Sequence, residues 1–408
     1  MGTLADGRRV FVWGGLPGET VEIESTKAKS KYVEAIATKV IEPSPDRVAP
    51  QDAESYLSTS PWQIMKGALE TQWKKQLIRD AYTLHHIDLP DFELVSDRRG
   101  YGYRNKVEFS WWWDNDREQL DLAFFRRGTH GKIPVKGMAL ARPEINELAI
   151  KVRDILRTKK IEARDLKTLI IRCNQQGNTV FQLYVKDNHF HSFDENDFDA
   201  TGAQGGEVIY SDPRSPASRI TKRLAAWGDV VLTDEILGVP FRYATEGFFQ
   251  VNLPVYERAL EEMKKWVETG KKVIDLYSGV GTIGLTIGGD NATMIEIDEH
   301  AVREMNENIK RLGKDANAIL SSAEYALDHL ESEATIILDP PRAGLHQDVV
   351  DKLLELKPER IIYLSCNPVT QARDVQMLLP FYDIVQQQGY NFFPRTPHIE
   401  NLLVLQSK

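Results

Sequence analysis

The chain has 408 residues, of which 42% are hydrophobic and 27% are charged, with 27 glycines and 19 prolines. That length exceeds what a single hydrophobic core usually supports, and the composition excludes a disordered or collagen-like chain, so two or three globular domains are expected. The formal net charge of -9 excludes a broad basic surface, and any nucleic-acid surface must therefore be local. Neither a membrane-length apolar run nor the pattern of a secretion signal is found, which predicts a cytoplasmic protein with no membrane segment.

The two cysteines, Cys173 and Cys366, are too few for a disulfide framework. Neither has the neighbouring cysteines or histidines that a zinc or iron–sulfur site requires, so no metal is expected. Cys173 ends a predicted strand beside two isoleucines and is interpreted as a small buried residue without a chemical task.

Residues 1–43 predict a small β-barrel. Apolar and polar residues alternate there in three short segments separated by turns, at 9–13, 20–24 and 32–37. A basic run, Lys27, Lys29 and Lys31, lies between the last two segments. Two interpretations of this run stay open, a solvated edge strand and a contact with nucleic acid.

A proline-rich joint after Glu42 begins a second predicted domain, residues 44–235. Between residues 66 and 86 the apolar side chains recur at helical spacing and predict an amphipathic helix. Its expected buried stripe is Leu69, Trp73, Leu77, Ala81 and Leu84. The strand candidates that follow predict an antiparallel α+β domain, and they lie at 106–111, 122–125, 168–172 and 180–185.

The third predicted domain, residues 236–408, alternates short apolar strands with helical segments. The strands are predicted at 272–277, 293–297, 334–338 and 360–365. Apolar runs of this kind are typical of parallel strands covered on both faces, so we expect a Rossmann-like α/β domain. Because ligands bind at the carboxyl ends of such strands, this domain is expected to carry the chemistry.

A glycine pattern at 279–284 follows the first of these strands and predicts a tight turn that a ligand approaches closely. The next strand ends at Glu296, whose carboxylate suits the two ribose hydroxyls of an adenosine. Together they indicate an adenosine-containing cofactor. By themselves they leave open a nicotinamide dinucleotide and S-adenosylmethionine.

The next two strands favour methyl transfer to a pyrimidine, because they end in Asp339-Pro340-Pro341-Arg342 and Ser365-Cys366-Asn367-Pro368. C5 of uracil is a poor nucleophile, but a thiolate that adds to C6 makes C5 reactive toward a methyl donor. A general base must then take the C5 proton so that the thiol can leave. Cys366 is the candidate nucleophile, and His398 and Glu400 are both candidates for the base.

In order along the chain, these motifs resemble those of the RNA 5-methyluridine methyltransferase family. The similar segments are residues 247–252, 275–281, 339–342, 365–368 and 396–400, with 103–109 resembling the central-domain motif and the N-terminal segment resembling a TRAM domain. The resemblance implies a Rossmann-like methyltransferase domain (236–408), a central α+β RNA-recognition domain (44–235) and a TRAM-like barrel (1–43).

The same resemblance implies roles for individual residues. Cys366 would be the nucleophile at uracil C6 and Glu400 the base. The cofactor S-adenosylmethionine would be bound by Gln250, Tyr277, Gly279, Gly281, Glu296 and Asp339. Arg104, Asn105 and Lys106 would contact RNA or brace the domain interface, and Phe248, Phe249 and Tyr390 are candidates to stack on the target base.

The implied partner is structured RNA, with 23S ribosomal RNA favoured over transfer RNA, and a monomer is expected. Three features depart from the family pattern. Many relatives hold an iron–sulfur cluster, but no cysteine occurs at 55–63 or near 136–140, so we expect no cluster and a local fold held by packing. The N-terminal segment falls about one strand short of a complete barrel. Relatives often have an acidic residue shortly after the third cofactor-binding strand, where this chain reads Leu320-Ser321-Ser322-Ala323-Glu324.

Three alternative functions fit parts of the sequence. RNA cytosine-5 methyltransferases carry a second cysteine in the motif that here reads Asp339-Pro340-Pro341-Arg342, so uracil is preferred. The alternative of a nicotinamide-dependent oxidoreductase is supported by the glycine pattern alone. An RNA-binding module with a vestigial methyltransferase site is disfavoured because both Cys366 and Glu400 are intact.

Overall fold

The computed structural model describes residues 1–4 and 6–408. Within that part the strands form sheets of four, seven and eight strands and one separate hairpin. The strands are β1 (Gly2–Thr3), β2 (Arg9–Trp13), β3 (Thr20–Ala28), β4 (Tyr32–Glu42), β5 (Leu94–Val95), β6 (Lys106–Asp114), β7 (Gln119–Phe125), β8 (Lys132–Val135), β9 (Leu166–Cys173), β10 (Thr179–Val185), β11 (Gly205–Tyr210), β12 (Lys222–Gly228), β13 (Val231–Ile236), β14 (Val239–Ala244), β15 (Val273–Leu276), β16 (Ala292–Glu296), β17 (Asn317–Leu320), β18 (Thr335–Leu338), β19 (Arg360–Ser365), β20 (Tyr382–Tyr390) and β21 (Glu400–Ser407). The helices are α1 (Tyr56–Thr59), α2 (Gly67–Thr83), α3 (Pro143–Thr158), α4 (Glu195–Thr201), α5 (Leu253–Lys264), α6 (Thr282–Ile287), α7 (Glu299–Leu312), α8 (Gln347–Leu356) and α9 (Pro368–Leu378).

The N-terminal sheet has the order β1-β2-β4-β3, with β2 parallel to β4 and β3 antiparallel to it. A small cluster of buried residues, Val10, Val33 and Ala35, packs on one face. Lys27 lies near the end of β3, where its ammonium is 3.6 Å from Glu34, and Lys29 and Lys31 lie in the turn to β4. The basic run is therefore the tip of a hairpin.

The seven-stranded central sheet has the order β12-β11-β10-β9-β6-β7-β8. All neighbouring strands are antiparallel except β10 and β11, so the expected antiparallel domain is correct with one parallel exception. Helix α3 covers one face with an apolar side that includes Ile145, Leu148 and Val152, which pack with strand residues such as Leu169 and Phe181.

The expected buried stripe of α2 is wrong for Leu77 and Leu84, whereas Ala81 is buried and Leu69 and Trp73 are partly buried. Leu77 and Leu84 are 39% and 74% exposed, and the buried face instead carries two charged residues, Glu70 and Lys74. The other buried positions of this helix are Ile78, Ala81 and Tyr82. Helix α2 packs against α9 and β5 pairs with β20, so this part of the predicted central domain lies on the C-terminal sheet.

The eight-stranded C-terminal sheet has the order β17-β16-β15-β18-β19-β21-β20-β5. Strands β15 to β19 run parallel, and β21 lies antiparallel between β19 and β20. The chain leaves β15 toward β16 on one side and later returns to β18 on the other, which makes a crevice at the carboxyl end of β15. The expected Rossmann-like fold is confirmed, and buried apolar residues fill both faces of the sheet.

In the part of the chain that the structure describes, none of the helices is both long enough and apolar enough to cross a membrane.

Candidate active site

A cavity of about 1700 Å³ opens at the carboxyl ends of the parallel strands. It is bordered by the C-terminal sheet, by the loop 246–250 and by Arg104 of the central domain. Most of the predicted site residues lie in its wall, namely Gln250, Tyr277, Gly279, Glu296, Asp339, Cys366 and Glu400. Gly281, Asn105 and Lys106 are not among its lining residues.

The turn after β15 contains three residues with positive φ, Tyr277 at 66°, Gly279 at 57° and Gly281 at 83°. A Cβ added to Gly279 would meet no atom within 4 Å, whereas one added to Gly281 would lie 2.9 Å from Met305 Cγ. Gly279 therefore leaves its side of the turn open for a ligand. Gly281 instead allows α6 to begin close against its neighbours, so its expected direct contact with the cofactor stays a prediction.

Glu296 ends β16 beside this turn, as expected. Its carboxylate accepts hydrogen bonds from the backbone N–H groups of Gly279 (2.9 Å), Ile297 (2.8 Å) and Asp298 (2.9 Å). These donors fix the orientation of the carboxylate at the cavity wall. Each carboxylate oxygen has two lone pairs, so the group still has capacity to accept hydrogen bonds from ribose hydroxyls.

Three side chains of the central domain donate to backbone carbonyls of the loop that carries Gln250. Asn105 Nδ2 donates to the Gln250 carbonyl (2.8 Å), Lys106 Nζ to the Glu246 carbonyl (3.0 Å), and Arg172 Nη2 to the Gly247 carbonyl. Asn105 and Arg172 are 5% and 1% exposed. Asn105 and Lys106 thus brace an interface, one of their two expected roles. Arg172 was missed because a charged residue inside a strand gives no signal of its partner.

The three aromatic residues proposed for base stacking lie in different environments. Phe248 is 72% exposed and lies at the cavity, where a base can reach its ring. Phe249 is buried and stacks on Tyr243, with ring centroids 3.9 Å apart, and Tyr390 is buried in the core. The structure therefore contradicts the stacking role for Phe249 and Tyr390, because neither ring is accessible.

Cys366 follows β19 and is half-buried at the cavity. Burial, and after it the nearby carboxyl groups of Glu400 and Asp339, raise the pKa of its thiol to about 11 against the opposing effect of Arg342. Burial also raises the pKa of Asp339 to about 7. The pKa of Glu400 is raised by burial and then by Asp339. Without substrate, burial in this part of the cavity therefore disfavours the charged forms of Cys366, Asp339 and Glu400.

The two candidates for the base differ in their hydrogen bonds. Arg342 Nη2 donates to His398 Nδ1 at 2.8 Å, and burial together with Arg342 lowers the pKa of His398 to about 4. That ring is neutral at physiological pH, and one of its nitrogens is already occupied. The Glu400 carboxyl lines the cavity and has no hydrogen-bond partner among the described residues. Glu400 is therefore the better placed proton acceptor.

The segment where relatives hold a cluster is linked by hydrogen bonds as well as packing. Gln63 Nε2 donates to Asp52 Oδ2 (2.8 Å) and Ser60 Oγ (2.6 Å), and Asp52 accepts from the backbone N–H of Ala139 (3.0 Å). The expectation of packing alone was incomplete. Within residues 1–4 and 6–408, no three His, Cys, Asp or Glu side chains are grouped so that they could bind a metal ion.

The sheet order, the glycine turn and the crevice together define a Rossmann-like methyltransferase domain joined to a second, β-rich unit. Residues 320–408 match the family model described as tRNA (uracil-5-)-methyltransferase. Along nearly its whole length the chain is similar to an RNA methyltransferase of Lactobacillus johnsonii, with 30% identity over 98% of this chain and 94% of the relative. An RNA methyltransferase of Nitratidesulfovibrio vulgaris is 27% identical over 99% of this chain and 92% of its own.

The fold is also similar to a solved structure, the Pyrococcus abyssi tRNA (uracil-54, C5)-methyltransferase in complex with S-adenosyl-L-homocysteine. The TM-score is 0.81 at 23% identity, and the match covers 99% of this chain and 98% of that one. The chain belongs to the RNA (uracil-5-)-methyltransferase family, and it is accordingly an S-adenosylmethionine-dependent RNA methyltransferase. Membership of this family excludes the alternative that the protein is a nicotinamide-dependent oxidoreductase.

Proposed function

We propose that this protein methylates C5 of a uridine in structured RNA, with Cys366 as nucleophile and Glu400 as general base. The observation that carries the proposal is that the Cys366 thiol and the Glu400 carboxyl line the same cavity as Gln250, Gly279 and Glu296. A cavity of about 1700 Å³ exceeds the range of roughly 300–1,000 Å³ typical of small-ligand sites, so it has room for a cofactor and a nucleotide together.

The residues present fit S-adenosylmethionine. The open side of Gly279 lets the ligand approach the backbone, the oriented Glu296 carboxylate suits the ribose, and Gln250, Tyr277 and Asp339 border the remaining space. When bound, S-adenosylmethionine supplies an electrophilic methyl group. No residue of this chain is therefore required as a source of the methyl group.

The protein's own residues act before and after the methyl group moves. Cys366 loses its proton to solvent and Sγ bonds to uracil C6, which places the electron pair of the C5–C6 double bond in an enolate that makes C5 nucleophilic. After C5 is methylated, the Glu400 carboxylate takes the C5 proton, the double bond re-forms and the C6–Sγ bond breaks. Because the pKa of Cys366 is raised to about 11, formation of its thiolate has to be coupled to substrate binding.

We further propose how the RNA reaches this cavity. The target uridine leaves its stack, at a cost of a few kcal/mol, and its base stacks on the exposed Phe248 ring. The three proposed domains are 1–43, 44–235 and 236–408, and the first two bind the flanking RNA. Lys29 and Lys31 at the hairpin tip then contact phosphates. We expect the protein to act as a cytoplasmic monomer.

The particular RNA is also a proposal. We keep 23S ribosomal RNA as the first substrate to test, because the sequence of the N-terminal segment resembles a TRAM domain. Transfer RNA is the second candidate, supported by the description of the matching family model and by the substrate of the Pyrococcus abyssi enzyme.

The test is transfer of a labelled methyl group from S-adenosylmethionine to total RNA that lacks 5-methyluridine, followed by nucleoside analysis and mapping. We expect 5-methyluridine from the wild type and from Cys173→Ala, the matched control at the buried cysteine, and none from Cys366→Ala. Glu400→Gln should accumulate a covalent protein–RNA adduct. Labelling of cytidine, or of nothing while the cofactor still binds, would reject the assignment, and the second result would support a vestigial site.

A further inference from the structure

Helix α2 buries a charged pair where its sequence predicts an apolar stripe. The Lys74 and Glu70 side chains are 0% and 3% exposed, and Lys74 Nζ lies 3.2 Å from Glu70 Oε1. Lysine and glutamate are almost never fully buried unless they are paired and hydrogen-bonded, because removing a charge from water is costly. A pair in this environment therefore calls for an explanation in terms of what it contacts.

Both members of the pair contact the loop between β20 and β21, residues 391–399. Lys74 Nζ donates to Asn391 Oδ1 (2.7 Å) and to the Phe393 carbonyl (3.0 Å). Glu70 Oε1 accepts from Asn391 Nδ2 (3.0 Å) and from the backbone N–H of Arg395 (3.0 Å). Four hydrogen bonds thus tie one helix turn to one half of the loop.

The other half of the loop leads directly to the proposed base. Thr396 Oγ1 donates to the same Phe393 carbonyl that Lys74 contacts (2.7 Å) and accepts from the backbone N–H of His398 (3.3 Å). Glu400 is the first residue of β21, and Phe393, His398 and Glu400 all line the cavity. A continuous set of contacts therefore runs from Lys74 to the residue two positions before Glu400.

We propose that Glu70 and Lys74 are positioning residues that set the place of the Glu400 carboxyl in the cavity. This inference rests on the proposed function, in which Glu400 takes the C5 proton. Cys366 lies between β19 and α9, outside the loop 391–399. Loosening the loop should therefore slow proton removal and breakage of the C6–Sγ bond, while the addition of Cys366 and methyl transfer continue.

The experiment uses the full-length Lys74→Met and Glu70→Gln variants, with Lys75→Met as the matched control. Lys75 is the next residue on α2, and its ammonium lies 3.6 Å from the exposed Asp91 carboxylate. For the first two variants we expect release of 5-methyluridine RNA to fall by about tenfold to a hundredfold and the trapped covalent adduct to increase. Affinity for S-adenosylmethionine should stay within about twofold, and Lys75→Met should behave as wild type.

A second readout does not require activity. Backbone amide exchange over residues 391–400 should become at least about tenfold faster in Lys74→Met without RNA or cofactor, and remain unchanged in Lys75→Met. If exchange is unchanged, or if product and adduct fall together, the positioning role is wrong. If exchange rises but the wild type makes no 5-methyluridine, the loop contact stands and the proposed function fails. Should Lys74→Met fail to fold, Asn391→Ala removes two of the four hydrogen bonds to the loop without leaving a lone buried charge.

Discussion

The hydrogen bond from Asn105 to the Gln250 carbonyl offers a direct test of how the central sheet affects cofactor binding. The donor Nδ2 lies 2.8 Å from the acceptor, and Asn105 is 5% exposed. Asn105→Ala removes one of three side-chain hydrogen bonds to backbone carbonyls of the loop 246–250. A buried neutral hydrogen bond of this kind contributes roughly 0.5–1.5 kcal/mol.

That energy sets the expected effect on affinity. If the full free energy of this hydrogen bond is lost, a smaller fraction of the protein has the loop in the form that binds S-adenosylmethionine. The apparent Kd for S-adenosylmethionine then rises by the inverse of that fraction. A loss of roughly 0.7–1.4 kcal/mol corresponds to a rise of about threefold to tenfold. The maximal rate at saturating cofactor and RNA should change by less than about twofold, since Cys366 and Glu400 are held by other elements.

The assay is calorimetric titration of the protein with S-adenosylmethionine in the absence of RNA. Asn146→Ala is the control, because Asn146 accepts from the Met138 N–H (2.9 Å) and donates to its carbonyl (3.1 Å) within the central domain, away from the loop. An Asn105→Ala protein that is folded and binds S-adenosylmethionine as wild type does would refute the reasoning. Equal loss of affinity in both variants would show a general loss of stability instead.

Three further predictions concern titration and charge. Because the pKa of Cys366 is raised to about 11, the rate of its alkylation by iodoacetamide should increase by about tenfold per pH unit between pH 7 and 10. Mass spectrometry measures this rate, and the buried Cys173 should stay unmodified. A rate that reaches a plateau near pH 8 would contradict the raised pKa. The pKa of Asp339 is raised to about 7, so the folded state binds more protons than the unfolded state between about pH 4 and 7, and stability falls as the pH rises through that window. Asp339→Asn should therefore unfold at a higher temperature than wild type at pH 8 and at the same temperature at pH 4. An equal difference in unfolding temperature at both pH values would show that the titration of Asp339 is not its cause. Replacing both Lys29 and Lys31 by Gln should make the slope of log affinity for RNA against log salt concentration shallower by about 1.4. The control is Lys39→Gln, which should change the slope less, because the Lys39 ammonium lies 3.8 Å from Glu22. An unchanged slope in the double variant would show that the hairpin tip does not contact the RNA.

The polar motifs were readable from the sequence because they depend on residue type and order along the chain. The glycine turn, Glu296 at a strand end and Cys366 after a strand were placed without coordinates, Glu400 was found from its motif, and these residues meet at one cavity. The reason is that the carboxyl ends of parallel strands share one edge of a sheet, so chain order alone brings their ends together.

Tertiary structure alone decided which residues support that cavity. Helical periodicity assigned Leu77 and Leu84 of α2 to the core, but the buried face holds Glu70 and Lys74, whose partner Asn391 lies 317 positions beyond Lys74. The same holds for Arg172, for the exposure of Phe248 against the burial of Phe249, and for the contact of Arg342 with His398. Each depends on which side chains from distant segments meet and exclude water, and a local pattern carries no information about such partners.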